Sequence, residues 1–480
     1  MSDSSPVSSS DSDRVSLGQK AAYGSGQVAN MVLATAIPNL ANYILNIGLG
    51  VSPALVGLAL GLPRLWDAFI DPVAGYITDN TRTRWGRRKP YIACGGIAVG
   101  LCLALMWQLP QGWSEMGYFW FFLGMSLLFY VVYTIFVTPF VALGFELTTD
   151  YHERTRLMAA TQLIGQIGVL PMPWLFSLMQ MDYFDNIVQA GRVIAIGLGA
   201  VVIALVLVTV FFLRDPTVSR FLPRNAGEKA AAAANPPLSF FQGMKTTLKN
   251  RNFLRLCFAT FVFFSGLIMV QSIGPYLIIY YTYGGDKLAA ATLVGLGGTT
   301  WTVASLFLTP LIARLSTKIG KKQAFILCAG CALFGNIIKW FCYDPAHPYL
   351  NLIPGPFIAM GFAALWTLIS SMLADVCDQD ELDTGERREG TFSSVYWWIV
   401  KLGMSASFAI SGGLLSLSGF DVALTTGQTA NTILLLRIFD VAIPTVAIVA
   451  TILIMRGYPL TEAMVRDIRT RLDASSPRQA

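Results

Sequence analysis

Two aspartates lie in an apolar stretch of the chain, where carboxylates are rare. Asp67 and Asp71 fall inside the apolar segment that begins near Pro53, and one Asp at the centre of a membrane-spanning helix costs about 2.5–3.5 kcal/mol of insertion free energy. Their i, i+4 spacing places both on one face of a helix. Neighbouring carboxylates repel each other unless they share a proton or hold a monovalent cation. The pair therefore predicts a cation-coupling site; the alternative is that it only pairs with Arg64 or Lys401 and holds helices together.

A lysine in the second half of the chain is the expected partner of these carboxylates. Lys401 lies in "YWWIVKLGMS", deep in another apolar stretch, where an unpaired ammonium group is costly. An ion pair with Asp67 or Asp71 would link the two halves of the chain. We hypothesise that Lys401 competes with the cation for the carboxylates, so that cation binding is coupled to a conformational change.

Three further charged residues fall in apolar stretches. Arg64 lies one turn before Asp67 and is expected towards the outer mouth, where a gate role and a purely structural ion pair both remain open. Arg437 and Asp440 are three residues apart, and we expect them to satisfy each other.

The elements that must position these charges are membrane-spanning helices. The 480-residue chain is 54% hydrophobic and only 13% charged, whereas a soluble domain is about 25% charged. The apolar residues form blocks of roughly 20 or more, the length that crosses a bilayer as a helix. The pattern predicts an all-α integral membrane protein with twelve transmembrane helices. The expected spans are 21–48, 53–78, 90–109, 116–146, 156–180, 191–213, 253–282, 288–313, 323–343, 351–377, 391–418 and 430–455.

Polar segments divide the chain into two six-helix halves. The Ser- and Asp-rich start has no apolar core and therefore does not resemble a signal peptide. The segment containing "NAGEKAAAAANPP" predicts a flexible connection. The expected parts are a disordered cytoplasmic N-terminal tail (1–20), an N-terminal half (21–213), a cytoplasmic linker (214–252), a C-terminal half (253–456) and a cytoplasmic tail (457–480).

The basic residues predict the orientation. Of the 34 Lys and Arg residues, only Arg192 and Lys287 lie at the expected outer loops, and four more lie well inside spans. The others fall on the side of the two termini, so the positive-inside rule predicts a multi-pass protein of the inner or plasma membrane with both termini cytoplasmic. The net charge of +6 is thus a topology signal and does not indicate nucleic-acid binding.

Enzyme chemistry is not indicated by the sequence. The chain has two histidines and seven cysteines, too few zinc ligands in any cluster, and no nucleophile–base constellation or nucleotide-binding loop. Cys328 and Cys331 form a C-x-x-C inside an apolar helical run, where small buried side chains are the simplest interpretation. We therefore expect no enzyme, no bound metal and no cofactor other than a coupling cation.

The two halves contain a common basic element. "GYITDNTRTRWGRRKPYI" (Gly75–Ile92) follows the second span, and "ARLSTKIGKKQAFI" (Ala313–Ile326) follows the eighth. A repeat after six spans indicates parallel halves, as in major facilitator transporters, which place the substrate between the halves near the midplane.

The chain resembles a known family over its whole length. "WDAFIDPVAGYITDNTRTRWGRRKPYI" is similar to the second-helix signature of the glycoside–pentoside–hexuronide:cation symporters, the melibiose-permease-like branch of the major facilitator superfamily. "ADVCDQDELDTGERREGTFSSVYWWIVKLG" (Ala374–Gly403) is similar to the segment between its tenth and eleventh helices. The resemblance implies symport of a sugar or glycoside with H⁺ or Na⁺ by alternating access.

The resemblance also implies a coupling site. It assigns the cation to Asp67 and Asp71, with Thr134 in "YTIFVTPF" contributed by the fourth helix and Lys401 by the eleventh. Ile70 stands where sodium-using members have an asparagine, which favours H⁺ over Na⁺ and leaves both open.

A cytoplasmic gate is implied by the Gly-x-x-x-Asp…Gly-Arg-Arg element after the second span. A plain topology determinant is the competing interpretation, and both are compatible. The matching residues are Gly75, Asp79, Gly86, Arg87 and Arg88.

The substrate residues of the family are matched only in part. Its carboxylates on the first and fourth helices and its arginine on the fifth are absent, and Trp366 matches its tryptophan on the tenth. An uncharged sugar or glycoside remains plausible; the less polar Val137 and Val141 would also suit an amphipathic or lipid-like solute. The predicted substrate contacts are Asn30, Gln162, Trp366, Tyr396 and Trp397. We expect a monomer whose only other partners are membrane lipids.

Overall fold

The computed structural model describes residues 15–80, 83, 85, 88–148, 151–213, 245–385, 388–421, 424 and 427–475. For some helical residues, 71–73 and 75–80 among them, it describes the backbone alone. The expected N-terminal tail and the linker therefore lie largely outside the described residues.

Twelve helices within this part of the chain are long and apolar enough to cross a membrane, as the sequence predicts. In the first half they are α1 (Leu17–Ala41), α2 (Pro53–Asn80), α3 (Lys89–Met106), α4 (Glu115–Glu146), α5 (Tyr151–Val169) and α6 (Ile187–Phe212). In the second half they are α7 (Arg251–Gln271), α8 (Lys287–Ile319), α9 (Lys321–Cys342), α10 (Pro354–Ala364, resumed at Ser370–Thr384), α11 (Glu389–Leu417) and α12 (Ala430–Arg456).

Four of these helices depart from regular α-geometry. α1 ends in a π-helical turn, Asn42–Gly48, and α10 contains another, Leu365–Ile369. α5 resumes at Leu175–Met179 after a short 3₁₀ turn, and α7 resumes at Ile273–Leu277 before a π-helical turn, Ile278–Thr282. The first and seventh helices thus share a π-helical end at equivalent positions of the repeat.

The helix starts are encoded locally. Six transmembrane helices begin after a residue whose side chain accepts a hydrogen bond from a backbone N–H of the first turn, which satisfies donors that the helix leaves unpaired. These N-cap residues are Ser16, Ser114, Asn186, Asn250, Asp286 and Thr429. Inside a bilayer the remaining backbone groups must pair within the helix, because no water is available to them.

The packing repeats between the halves. In the first half α1 packs on α5 and α6, α3 packs on α4 and α6, and α2 packs on α4. In the second half the equivalent helices make the same pairs: α7 with α11 and α12, α9 with α10 and α12, and α8 with α10. The parallel repeat read from the basic loops is therefore a repeat of three-dimensional structure.

The start of α1 and the end of α12 lie on one side of the bundle, because twelve crossings return the chain to the face where it started. We call this side the terminal face and the other the opposite face. Residues 457–480, expected as a tail, include a further helix, α13 (Glu462–Ser475), which packs on the second half of α10. Its Ile468 is 7% exposed within the core of the C-terminal half.

Among the described residues, the two halves meet on the opposite face at three places. The Asn46 side-chain oxygen on α1 accepts a hydrogen bond from the Tyr276 hydroxyl of α7 at 2.7 Å. Trp174 Nε1 donates to the Thr299 hydroxyl of α8 at 2.8 Å. At the third place α2 and α11 touch along glycines: a Cβ on Gly57 would lie 2.5 Å from the Phe408 carbonyl oxygen. Small residues at such crossings allow backbones to approach closely.

Candidate functional site

A buried carboxylate lies at the centre of the boundary between the halves. Asp67 on α2 is 1% exposed, and its Oδ2 lies 2.9 Å from Lys401 Nζ on α11. Its Oδ1 accepts a hydrogen bond of 3.0 Å from the hydroxyl of Thr134 on α4, which is fully buried. The structure thus brings together three of the four residues predicted for cation coupling, and the expected link from Lys401 is an ion pair with Asp67.

The fourth predicted coupling residue, Asp71, lies one turn further along α2. The helix continues through it without a break, so its Cα lies on the same face as that of Asp67. Its side chain lies outside the described residues. Ile70, which precedes it, is half-buried and offers no oxygen.

Arg64 lies one turn nearer the opposite face than Asp67. It is 7% exposed, and its guanidinium carbon stands 4.6 Å from the ring centroid of Tyr130 on α4. A cation over an aromatic face is stabilised by the ring quadrupole. Tyr130 was not singled out from the sequence, although it stands four residues before Thr134 and hence on the same face of α4.

Two tryptophans predicted to bind substrate form a stack. The rings of Trp366 and Trp397 are nearly parallel, at 14°, with centroids 5.5 Å apart. Trp397 is 47% exposed and stands one turn before Lys401, on the same face of α11. Trp366 lies in the π-helical turn of α10 and packs edge-on against Phe264. The open ring face of the stack is therefore offered by Trp397, close to the ion pair.

The remaining predicted substrate contacts are divided between two environments. The Asn30 side-chain oxygen accepts a 2.8 Å hydrogen bond from the hydroxyl of Tyr133. The sequence pattern did not indicate Tyr133. Gln162 on α5 is exposed. Tyr396 is only 2% exposed; its ring stands edge-on to that of Trp397 with centroids 5.9 Å apart, and its hydroxyl lies 3.5 Å from that of Thr260 on α7. The structure therefore joins Trp366, Trp397 and Tyr396 through ring contacts, but leaves Tyr396 almost no exposed surface for a solute.

The predicted gate element is described only in part. Gly75 and Asp79 belong to the end of α2, where the structure describes only the backbone, and Gly86 and Arg87 lie outside the described residues. Arg88 is described and is buried directly before α3. The gate role stays a prediction.

The second basic element is tied within its own half. Lys321 Nζ lies 2.6 Å from Asp375 Oδ2 at the end of α10. From α13, Arg469 Nε lies 3.2 Å from Asp378 Oδ2. These ion pairs link α9, α10 and α13 at the terminal face.

The expectation that Arg437 and Asp440 satisfy each other is wrong. Asp440 is fully buried, and its Oδ2 lies 2.7 Å from Lys339 Nζ and accepts a 2.8 Å hydrogen bond from the Tyr343 hydroxyl. The Arg437 guanidinium instead stands over the Trp340 ring at 4.4 Å. α9 approaches α12 closely enough to supply a cation for Asp440, which a pattern confined to α12 does not reveal.

Comparison with known proteins agrees with this architecture. The model of a family described as MFS/sugar transport protein matches residues 22–462. The glucuronide carrier protein homolog of Escherichia coli (strain K12) is 24% identical, over 94% of this chain and 94% of its own. The sphingosine-1-phosphate transporter MFSD2B of Mus musculus is 26% identical, over 90% of this chain and 87% of its own.

The fold is also found among solved structures. The crystal structure of a D-xylose-proton symporter superposes with a TM-score of 0.64 at 16% identity, covering 92% of this chain and 97% of that one. With the family match across nearly all of its length, the chain belongs to the MFS/sugar transport protein family and has the major facilitator fold.

Proposed function

We propose that this chain is a secondary active transporter that moves a sugar or glycoside in symport with a monovalent cation, and is not an enzyme. Asp67 carries the proposal: it is a buried carboxylate held at once by Thr134 of its own half and by Lys401 of the other half. An intramembrane ionisable residue between two mobile halves is a functional group by default, because its insertion is costly. The family and its relative named as a glucuronide carrier homolog support a glycosidic solute.

Coupling follows from competition for Asp67. While the halves touch on the opposite face, the Lys401 ammonium neutralises the carboxylate. A cation that binds Asp67 displaces Lys401 and removes this central tie between the halves, so the bound and empty proteins prefer different arrangements. We propose H⁺ as the cation, because Ile70 supplies no side-chain oxygen, while Na⁺ requires several oxygen ligands. Asp71 completes the proposed site.

The solute is placed between the halves, on the terminal side of the ion pair. Trp397, backed by Trp366, supplies an aromatic face for the C–H side of a sugar ring, and Asn30 and Gln162 supply hydrogen-bonding groups, the combination that sugar sites require. Tyr396 supports α11 from behind. By the positive-inside rule the terminal face is cytoplasmic, so this arrangement is the inward-facing state of a monomer in the inner or plasma membrane, with Gly75, Asp79, Gly86, Arg87 and Arg88 forming the cytoplasmic gate.

Uptake into proteoliposomes tests the proposal. With a proton gradient directed into the vesicles, at least one labelled sugar or glycoside of a broad panel should accumulate above its outside concentration. A sodium gradient alone should not drive this accumulation. Asp71→Asn should abolish uphill uptake and retain exchange. The reading fails if no sugar or glycoside accumulates under either gradient, and accumulation driven by sodium alone reassigns the cation.

An amphipathic solute is the second candidate, because MFSD2B of Mus musculus, named as a sphingosine-1-phosphate transporter, aligns over most of the chain. Val141 on α4 is 40% exposed, where an apolar surface suits a lipid-like molecule. Gradient-driven uptake of a fluorescent lysophospholipid, with no uptake across the sugar panel, would establish this alternative.

A further inference from the structure

We propose that a groove between α7 and α12 at the terminal face binds an anionic phospholipid, with the phosphate on Arg255 and acyl chains along apolar walls. The groove has a volume of ≈ 490 Å³. It is lined by Leu254, Arg255, Phe258, Leu453, Ile454 and Gly457. It lies apart from the ion pair of Asp67 and from the solute site.

The walls of the groove are apolar over the part that lies within the spans. Phe258 is 58% exposed and Leu453 is 59% exposed, on helices that pack together directly: the Thr451 hydroxyl of α12 donates to the Ala259 carbonyl of α7 at 3.4 Å. Gly457, directly after α12, leaves the floor of the groove without a side chain. Such a surface matches acyl chains.

The rim of the groove is basic. Arg251 and Arg255 stand four residues apart and hence on one face at the start of α7, and Arg456 ends α12. All three are exposed, and none forms an ion pair within the described part of the chain. Guanidinium groups bind phosphate in a bidentate manner. The groove thus has unpaired cations at the ends of two spans and an apolar surface further inside the spans. An anionic phospholipid is complementary to this arrangement, because its charged headgroup lies at the membrane surface and its acyl chains lie deeper.

A soluble anion satisfies only half of this arrangement, because it would leave the apolar walls without a partner. The full-length protein is mixed in detergent with equal amounts of phosphatidylglycerol and phosphatidylcholine. Native mass spectrometry then measures which lipid stays bound when the detergent is removed. We expect one phosphatidylglycerol retained in preference to phosphatidylcholine. Arg255→Gln should lower its occupancy about fivefold, as expected for one basic residue at an anionic lipid.

Gly457→Leu separates groove binding from surface attraction. It leaves all charges in place and fills the floor, and the backbone accepts it because φ is −77°. It should lower phosphatidylglycerol retention as strongly as Arg255→Gln. Arg314→Gln is the matched control: an exposed arginine near the same end of α8 that should change nothing. Variants that elute as monodisperse protein are compared.

Three outcomes overturn the proposal. Equal retention of the two lipids shows no anionic selectivity. Loss of retention in Arg255→Gln but not in Gly457→Leu shows surface attraction only. Competition of the bound phosphatidylglycerol by inorganic phosphate at millimolar concentration shows a soluble-anion site.

Discussion

The ion pair between Asp67 and Lys401 gives the sharpest test of the proposed coupling. Three variants, Asp67→Asn, Lys401→Met and the two together, remove one charge, the other charge, or both. The Asp67 side chain is 2% exposed and the Lys401 side chain is 18% exposed, with 2.9 Å between Nζ and Oδ2. The two single variants should therefore destabilise the protein to different extents. The lysine that remains in Asp67→Asn is partly exposed, whereas the carboxylate that remains in Lys401→Met is not.

The magnitudes follow from that asymmetry. Removing one partner of a buried ion pair costs about 3–5 kcal/mol of unfolding free energy because the other charge is left uncompensated. We expect Lys401→Met to fall in that range, Asp67→Asn to cost about 2 kcal/mol less, and the double variant to be more stable than Lys401→Met. The coupling free energy between the two sites should be about 3 kcal/mol, at the upper end of the range measured for residues in contact.

Two measurements check these values. Equilibrium unfolding in mixed detergent micelles gives the four free energies of the cycle, and proteoliposomes give uphill uptake and exchange. All three variants should lose gradient-driven accumulation, while the double variant should retain exchange because it carries no unpaired buried charge.

The second buried pair supplies a matched control. Asp440 is fully buried and lies 2.7 Å from Lys339, within the C-terminal half alone. Asp440→Asn should cost stability on the same scale and leave cation-driven accumulation intact. The reasoning is refuted if Asp67→Asn accumulates solute like the wild type, if the double variant is as unstable as the sum of the single ones, or if Asp440→Asn also uncouples transport.

Three further predictions concern the contacts on the opposite face and one ion pair between helices at the terminal face. Gly412→Val inserts a side chain against the backbone of α2 and should lower uptake more than tenfold in a protein that still folds; normal uptake would contradict the close contact. Tyr276→Phe removes the buried hydrogen bond to Asn46, which is worth about 1 kcal/mol. The population should therefore shift about fivefold towards the state that is open on the opposite face. A cysteine placed beneath this hydrogen bond should then be labelled faster than in the wild type. The hydrogen bond from Lys20 holds the pKa of the Glu153 carboxyl below its usual range, so its stabilisation is present at neutral pH and is lost as the pH falls through that lowered pKa. The thermal midpoints of wild type and Glu153→Gln should therefore converge in acid, and a gap that stays constant with pH would argue against the pair.

Local sequence features predicted most of the architecture. The length of an apolar run decides whether a helix crosses the membrane, and capping residues such as Asn186 and Thr429 decide where helices begin. These properties belong to neighbouring residues, so they can be read without the fold. α13 was missed because its segment is strongly charged, although Val465, Ile468 and Leu472 recur at helical spacing and pack on the core.

The sequence alone determined the twelve spans, the two related halves and the presence of carboxylates on the second helix, because hydrophobic length, charge bias and i, i+4 spacing act along the chain. Only the tertiary structure decided that Lys401 meets Asp67, that Lys339 and not Arg437 meets Asp440, and that Trp397 is open while Tyr396 is buried. Each of these outcomes depends on the rotation and depth of one helix against another. Those quantities are set by close packing of residues far apart in the chain, such as Gly57 against α11, and periodicity within a single helix does not encode them.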